Sequence, residues 1–424
     1  MGINRTDKLV AGILGLDSLS VAGDLRIRAV EIVVAERPLR HIRGMVHAVG
    51  CLLLRCFRGN VWIRGVDGHG ERCLVVIETL AEKLREESFS HSGVDRIVVG
   101  AAPTGTIRIG IGVLLDGAIS IDAAGWSIGV NQLLESREVA VAPAAAFAAA
   151  CGVGKLFAVE VLGRSGVAVE SWSFSLAGMH LLHNERGPDL AVISNLGRIG
   201  VLGAGAVGSA IGYILLQASF DVEVIVIDDD VYAEENLDTT LLLERATALK
   251  GLPKAKALSS SLSREGLHAS AHIERVERGS LILKQPFDSF ICAVDNAESR
   301  RELDGSQAGL LINAGVGGSS RDAGHVICSK HVAQSQPLSA LYPPAIGNQP
   351  KVAEEHLPRE IRADLCSAVV DQYRGVAMAA PFIALTAASL TVAVAMRHSL
   401  GAVSGPLVMK MDVLGIQSMM ELRF

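Results

Sequence analysis

The sequence predicts an α/β chain of two domains, the C-terminal one built on a doubly wound, mostly parallel sheet. Three observations carry that expectation. The 424 residues exceed what one hydrophobic core commonly organises. From about residue 190 onward, strand-length apolar runs alternate with helix-length segments, the rhythm of a parallel sheet covered on both faces. A glycine-rich turn, Gly203-Ala-Gly205-Ala-Val-Gly208, joins a strand-like run to a helix-like run. Doubly wound sheets receive nucleotide phosphates at such a turn.

Composition narrows the class. Half of the residues are apolar and 4% aromatic, with many Ala and Gly, which suits closely packed buried elements. Charge is −6, from 39 basic and 45 acidic residues, without a long basic run; nucleic acid and anionic membrane are therefore not expected partners. Seven scattered cysteines and no secretory signal read as reduced thiols in a cytoplasm. Cys51 and Cys56 form the closest pair, and no second pair answers them, so zinc is not expected. Val376 to Met396 carries no charge and is long enough to span a bilayer. It is Ala-rich, holds Pro381, Thr386, Ser389 and Thr391, and lacks a flanking aromatic belt. It is expected to be a buried core helix, as is the Ala-rich run Val139 to Ala150.

The polar stretch His183 to Asp189 (HNERGPD) divides residues 1–188 from residues 189–424. In the first part, Val61 to Val66 reads as a strand, the next four residues as a turn, Glu71 to Glu87 as a helix and Arg96 to Ala101 as a strand. In the second part, strands are expected at Arg198 to Leu202, Val222 to Ile227, Ser289 to Val294 and Leu310 to Ala314. Helices follow the glycine turn and open at Lys254. His331 to Tyr373, with Pro337, Pro343, Pro344, Pro350 and Pro358, breaks the rhythm and reads as a long crossing loop, a kind that is commonly functional. The small-residue helix comes next, and Pro406 to Phe424 closes the chain as a strand pair.

The chemistry-bearing residues fall at strand ends. Taken alone, the glycine turn fits ATP, NAD or mere packing. Asp228 lies 20 residues beyond Gly208, where an acid reaches ribose hydroxyls. Three adjacent acids, Asp228 to Asp230, exceed what NAD requires and suit a metal–nucleotide site, or else a solvated strand end. Lys254 opens a helix after Gly251-Leu-Pro, placed to neutralise charge on phosphate, although such a lysine is commonly a surface residue. Asp295 follows a strand, where an oxygen ligand for Mg²⁺ would stand, or a simple cap. Their joint order moves the reading from NAD towards ATP.

On these residues the chain, from about Leu190 to Phe424, resembles the ThiF/MoeB and ubiquitin-activating (E1-like) enzymes. The resemblance rests on GAGAVG, IDDDVYAEENL, GLPK, AVDN, the INAGVGGSSRDAG stretch around Arg321, the small-residue helix and the closing LVMKMDVL. It implies an adenylation domain that binds ATP and Mg²⁺ through Gly203, Gly205, Gly208, Asp228, Asp230, Asn236, Lys254 and Asp295. Lys254 and Asp295 would be catalytic and Asp295 the metal ligand. The family's arginine three residues after the asparagine is here Thr239. Its charge must then come from Arg245, from the N-terminal domain or from a second subunit. The family's CxxC pairs are absent, so the resemblance implies no structural zinc.

Covalent members place a cysteine ahead of the small-residue helix, and Cys366 in ADLCSAVVDQYRG stands in that stretch with Ser367 beside it. Cys366 is the candidate nucleophile; a buried structural role is the alternative. Cys292 and Cys328 sit in apolar strands and are expected in the core. The N-terminal domain resembles, loosely, an inactive copy: Ile97 to Ala101, Leu114 to Gly117, Asn131-Gln132 and the helix at Pro143 occur in the adenylation domain's order. Otherwise it is a partner-binding module.

The implied function is ATP-dependent adenylation of the C-terminal carboxylate of a ubiquitin-like or sulfur-carrier protein ending in glycine. Transfer to cysteine and a conjugating enzyme would follow in some members, and the family often forms homodimers. An NAD-dependent oxidoreductase and a non-catalytic scaffold are the rival readings.

Overall fold

The structure, a computed structural model, describes residues 5–14, 19–35, 39–66, 71–136, 138–166, 170–179, 187–188, 195–218, 220–295, 297–316, 324–332, 380–402, 407–414 and 420–422. Two short helices, α1 (Arg5–Leu14) and α2 (Leu19–Asp24), lead into β1 (Val30–Val34). There follow α3 (Leu39–Cys56), β2 (Val61–Gly65), α4 (Glu71–Ser92), β3 (Ile97–Val99), β4 (Ile107–Ile111), β5 (Ile119–Ala124), β6 (Ser127–Val130), α5 (Ala142–Glu160) and β7 (Trp172–Ser175). The second half runs β8 (Asn195–Leu202), α6 (Ala206–Ala218), β9 (Asp221–Ile227), α7 (Arg245–Leu249), α8 (Lys254–Arg264), β10 (His268–His272) and β11 (Ser289–Cys292). It closes with α9 (Ala297–Arg301), β12 (Leu310–Val316), β13 (His325–Val332), α10 (Pro381–Ser399), β14 (Leu407–Asp412) and β15 (Met420–Leu422).

The two sheets repeat one topology. Their orders are β3-β2-β1-β4-β5-β6-β7 and β10-β9-β8-β11-β12-β13-β14-β15. In each, the first five strands are parallel and those that follow are antiparallel. The central strands are rich in Val, Ile and Leu, as strands covered on both faces are, although β1 holds Glu31, β4 Arg108 and β8 Arg198. Helix α5 lies between β6 and β7 as α10 lies between β13 and β14, and each has proline in its first turn, where a fixed φ and a missing N–H cost nothing. The N-terminal half is thus a second copy of the fold. It begins earlier than the sequence reading placed it: its first strand is β1, and Ile97 to Val99 form the edge strand β3.

Register shows what the copy has lost. Val34 pairs with Gly65 as Leu202 pairs with Ile227. Ala35 therefore stands where the second half has Gly203, and Val66 where it has Asp228. The first half lacks both the left-handed glycine and the acid.

The halves share one core. All residues from Pro143 to Ala158 of α5 and from Pro381 to Met396 of α10 are buried. They pack on each other and on α3 and α6, and a single apolar cluster runs through both halves. Small residues set the approach: a Cβ on Gly154 would meet Phe382 at 3.1 Å and Val413 at 3.0 Å. Phe157 and Phe382 meet across the junction with ring centroids 5.4 Å apart and planes tilted by 52°, a contact worth about 0.5–1.5 kcal/mol beyond its buried area. Among the described residues, the two helices long and apolar enough to cross a membrane are these buried ones.

A polar strap joins the crossover after β9 to the first half. Arg26 is 1% exposed and reaches Asp7 at 2.7 Å and Asp238 at 3.0 Å. Burial pulls its pKa down, but Asp238 and Asp7 outweigh it and keep the group charged. Arg55 donates to the Leu241 carbonyl at 2.5 Å.

Candidate functional site

A cavity of about 280 Å³ opens at the C-terminal ends of β8, β9, β11 and β12, where doubly wound sheets hold their ligands. Gly203, Gly205, Asp228, Asp230, Lys254 and Asp295 all line it. Six of the eight nucleotide candidates from the sequence meet in one place.

Gly203 has φ +96°, and a Cβ there would lie 2.9 Å from the Ala293 backbone, so only glycine fits. Gly208 does not line the cavity; a Cβ there would stand 1.9 Å from the Gly203 carbonyl, so its role is close packing of helix on turn. Gly205 has open space around it, the room a phosphate needs to approach the N–H groups that open α6.

Asp228 is tied to the turn. It accepts from the Ala204 N–H at 2.6 Å and from the Asp230 N–H at 2.8 Å. Burial pushes its carboxyl above the ordinary range, against the Ala204 hydrogen bond and the Lys254 charge. The buried Tyr232 hydroxyl donates to the Ala204 carbonyl at 2.5 Å and pins the same turn. Lys254 caps the geometry from α8: its backbone N–H reaches the Asp230 carbonyl and its Nζ reaches Asp230 Oδ2, each at 2.8 Å. Asp295 is exposed at the mouth, after β11.

Asn236 is elsewhere. It is 5% exposed, accepts from the Ala233 N–H at 2.9 Å and is not among the lining residues. It shapes the crossover turn. Thr239 is 1% exposed, and its hydroxyl donates to the Asn236 carbonyl at 3.3 Å. Of the proposed substitutes for the family arginine, Arg245 faces away, donating to the Ser92 carbonyl at 3.0 Å and lining a different cavity.

The structure places another cation in the cavity. Arg5, on α1 of the first half, lines it and reaches Glu235 at 3.2 Å. The sequence reading allowed for a residue of the N-terminal domain without naming one, because 222 residues part Arg5 from Asp228 in the chain. Arg300, also unforeseen, lines the floor and is 6% exposed, donating to the carbonyls of Val294 at 2.5 Å and Ala314 at 3.3 Å. It ties the ends of β11 and β12 together beside Asp295.

Cys366, Ser367 and Arg321 lie outside the described residues, as does the crossing loop beyond Val332. Cys292 and Cys328 are core residues, 0% and 1% exposed. Burial pushes both thiols up, that of Cys328 to about 12, which removes them as nucleophiles.

Comparison with known families follows the same division as the two sheets. Residues 48–176 match the family described as the BilD N-terminal domain, and residues 197–402 match the BilD C-terminal domain. Together the two matches take in well over half of the chain. The chain belongs to the BilD family of E1-like proteins. A bacterial E1-like protein BilD from Collimonas sp. (strain OK412) is 26% identical over 220 residues, 48% of this chain and 46% of that protein. The chain thus spans about half the length of the curated relative it matches. Among solved structures, E. coli MccB with AMPCPP and MccA shares 14% identity at a TM-score of 0.40, over 55% of this chain and 65% of that one. The microcin C7 biosynthetic enzyme MccB in complex with N-formylated MccA shares 14% at 0.42, over 55% and 66%.

Proposed function

We propose that this chain binds ATP in the cavity at Gly203 and adenylates the C-terminal carboxylate of a ubiquitin-like or sulfur-carrier protein. The observation that carries the reading is the convergence of the glycine turn, Asp228, Lys254 and Asp295 on one cavity. A ribose fits Asp228, whose carboxylate lines the cavity with one oxygen on the turn at Ala204 and the other on the Asp230 N–H. Phosphates fit the open side of Gly205 and the N-terminus of α6. The substrate carboxylate attacks the α-phosphorus and pyrophosphate leaves, yielding an acyl-adenylate. Lys254 and Arg5 neutralise charge that builds on the phosphoryl oxygens. Holding the two reactants in line supplies a further share of the acceleration. An exposed carboxylate beside the phosphate path is an oxygen donor of the kind Mg²⁺ takes, and Asp295 would hold that ion, which would offset phosphate charge.

Lys254 and Asp295 set this reading above an NAD-dependent oxidoreductase, which has no use for either. Arg5 weakens the scaffold alternative that Thr239 raised, since it restores an arginine to the cavity. Transfer of the acyl group to Cys366 is a separate proposal resting on sequence alone; intact-mass trapping of the carrier on wild type but not on Cys366→Ala supports it. Adenylation itself is tested by carrier-dependent exchange of pyrophosphate into ATP. Exchange in wild type and its loss in Asp295→Ala are expected, while absence from wild type with a carrier known to be activated by a relative contradicts the reading.

A further inference from the structure

A further cavity, of about 270 Å³, opens where α3 and α4 of the first half meet α6 and α8 of the second; His47, Glu87 and Tyr213 line it. Beside it His47 and Cys51 stand one helical turn apart on α3, on one face, 4% and 2% exposed. Glu87 comes from α4. Donor atoms of these three side chains all lie within 4.8 Å of one another. Cys51 Sγ is 3.8 Å from His47 Nδ1 and 3.9 Å from Nε2. Bond lengths of about 2.0–2.3 Å around tetrahedral zinc put neighbouring ligand atoms roughly 3.3–3.8 Å apart. The sulfur–nitrogen edge is thus already close to its bonded span, and the carboxylate has to close in.

The imidazole is oriented as ligating imidazoles are. His47 Nδ1 lies 2.7 Å from the Tyr213 hydroxyl, with the two rings stacked at 5.7 Å. That contact occupies Nδ1 and leaves Nε2 as the donor, 3.9 Å from the Cys51 sulfur. Sulfur, nitrogen and oxygen together suit a borderline cation such as zinc, whereas Mg²⁺ and Ca²⁺ take oxygen alone.

We propose that His47, Cys51 and Glu87 bind one transition-metal ion of the zinc class, with Tyr213 orienting the imidazole from the other half. The fourth position faces the cavity and takes water. On binding, the Cys51 sulfur exchanges its proton, released to solvent, for the metal bond. Glu87 exchanges the distant Arg55 guanidinium, 3.9 Å away, for the ion. The sequence reading found the Cys51–Cys56 pair without a second to answer it and expected no zinc; here the donors are of three kinds on two helices, and no spacing rule announces them. The metal would tie α3 to α4 and, through Tyr213, to α6 of the second half.

The full chain, stripped of metal under reducing conditions, is titrated with Co²⁺ and with Zn²⁺ alone. Expected are one ion bound per chain, a thiolate-to-cobalt charge-transfer band, and its loss in Cys51→Ser and His47→Gln. Cys366→Ser and Cys73→Ser keep it. Two milder variants read the same site should those two fail to fold. Tyr213→Phe weakens metal affinity about 10- to 100-fold, and Glu87→Gln, which removes a ligand carboxylate, weakens it at least as much. No retained ion, a spectrum without thiolate, or affinity unchanged in Tyr213→Phe and Glu87→Gln overturns the proposal. Nucleotide binding at the Gly203 cavity is unaffected by any of these results, so the two sites are judged separately.

Discussion

Lys254 Nζ lies 2.8 Å from Asp230 Oδ2, so the cavity's lysine is held in place by an acid that itself leans into solvent. The Asp230 side chain is 69% exposed, and an exposed pair of this kind contributes only about 0–1 kcal/mol. A triphosphate outbids it easily.

Two substitutions separate the roles in this pair. Lys254→Ala is expected to slow adenylate formation about 100-fold or more, the loss seen when one charge-stabilising donor leaves a transition state. Asp230→Asn is expected to leave the rate within about threefold, because it removes only a weak holder. Pyrophosphate exchange under saturating ATP measures both. Equal losses would show that Asp230 acts on the nucleotide directly.

Arg5 brings a cation of the first half to the cavity of the second. Arg5→Ala is expected to cost about 10²-fold in the same exchange rate with the fold intact, while Glu235→Gln costs far less. Steady-state exchange on variants of unchanged thermal stability checks it. No change in Arg5→Ala would mean that Arg5 serves only the strap to Glu235.

The three glycines are predicted to fail in different ways. Gly203→Ala meets both a positive φ and the Ala293 backbone, and Gly208→Ala meets the Gly203 carbonyl; each is expected to lose about 1–3 kcal/mol of stability. Gly205→Ala has open space and is expected to keep stability while weakening nucleotide binding. Thermal denaturation alongside nucleotide titration distinguishes them.

Asp228 sets a pH dependence. Burial raises its carboxyl, so acidification protonates it earlier than an ordinary aspartate, and the acceptor proposed for ribose hydroxyls is lost above the usual carboxylate range of about 4. A native pKa above the unfolded one means the folded state binds the proton more tightly. The cost to stability from this group is therefore present at neutral pH and relieved as pH falls. Affinity and stability move in opposite directions. Nucleotide titration between neutral and mildly acid pH should show affinity falling in wild type and flat in Asp228→Asn.

The second half was legible because its motifs are local. Gly203, Asp228, Lys254 and Asp295 each mark a strand end or a helix start, and a parallel sheet brings such ends to one rim. Asn236 was placed in the site by family pattern, yet its carboxamide closes a turn, a distinction that spacing does not carry. Arg5 and Arg300 were hidden for another reason: one arrives from the opposite half and the other hydrogen-bonds two carbonyls brought together only by strand pairing. The repeat in the first half was faint because β1 keeps the apolar run but ends in Ala35, without the glycine that would mark it.

Calorimetric titration of the wild-type chain with Mg²⁺–ATP and with NAD tests the central claim most directly. Expected are binding of ATP, none of NAD, and loss of ATP binding in Asp228→Ala. Tight binding of NAD in place of ATP, or ATP affinity indifferent to Asp228, would contradict it.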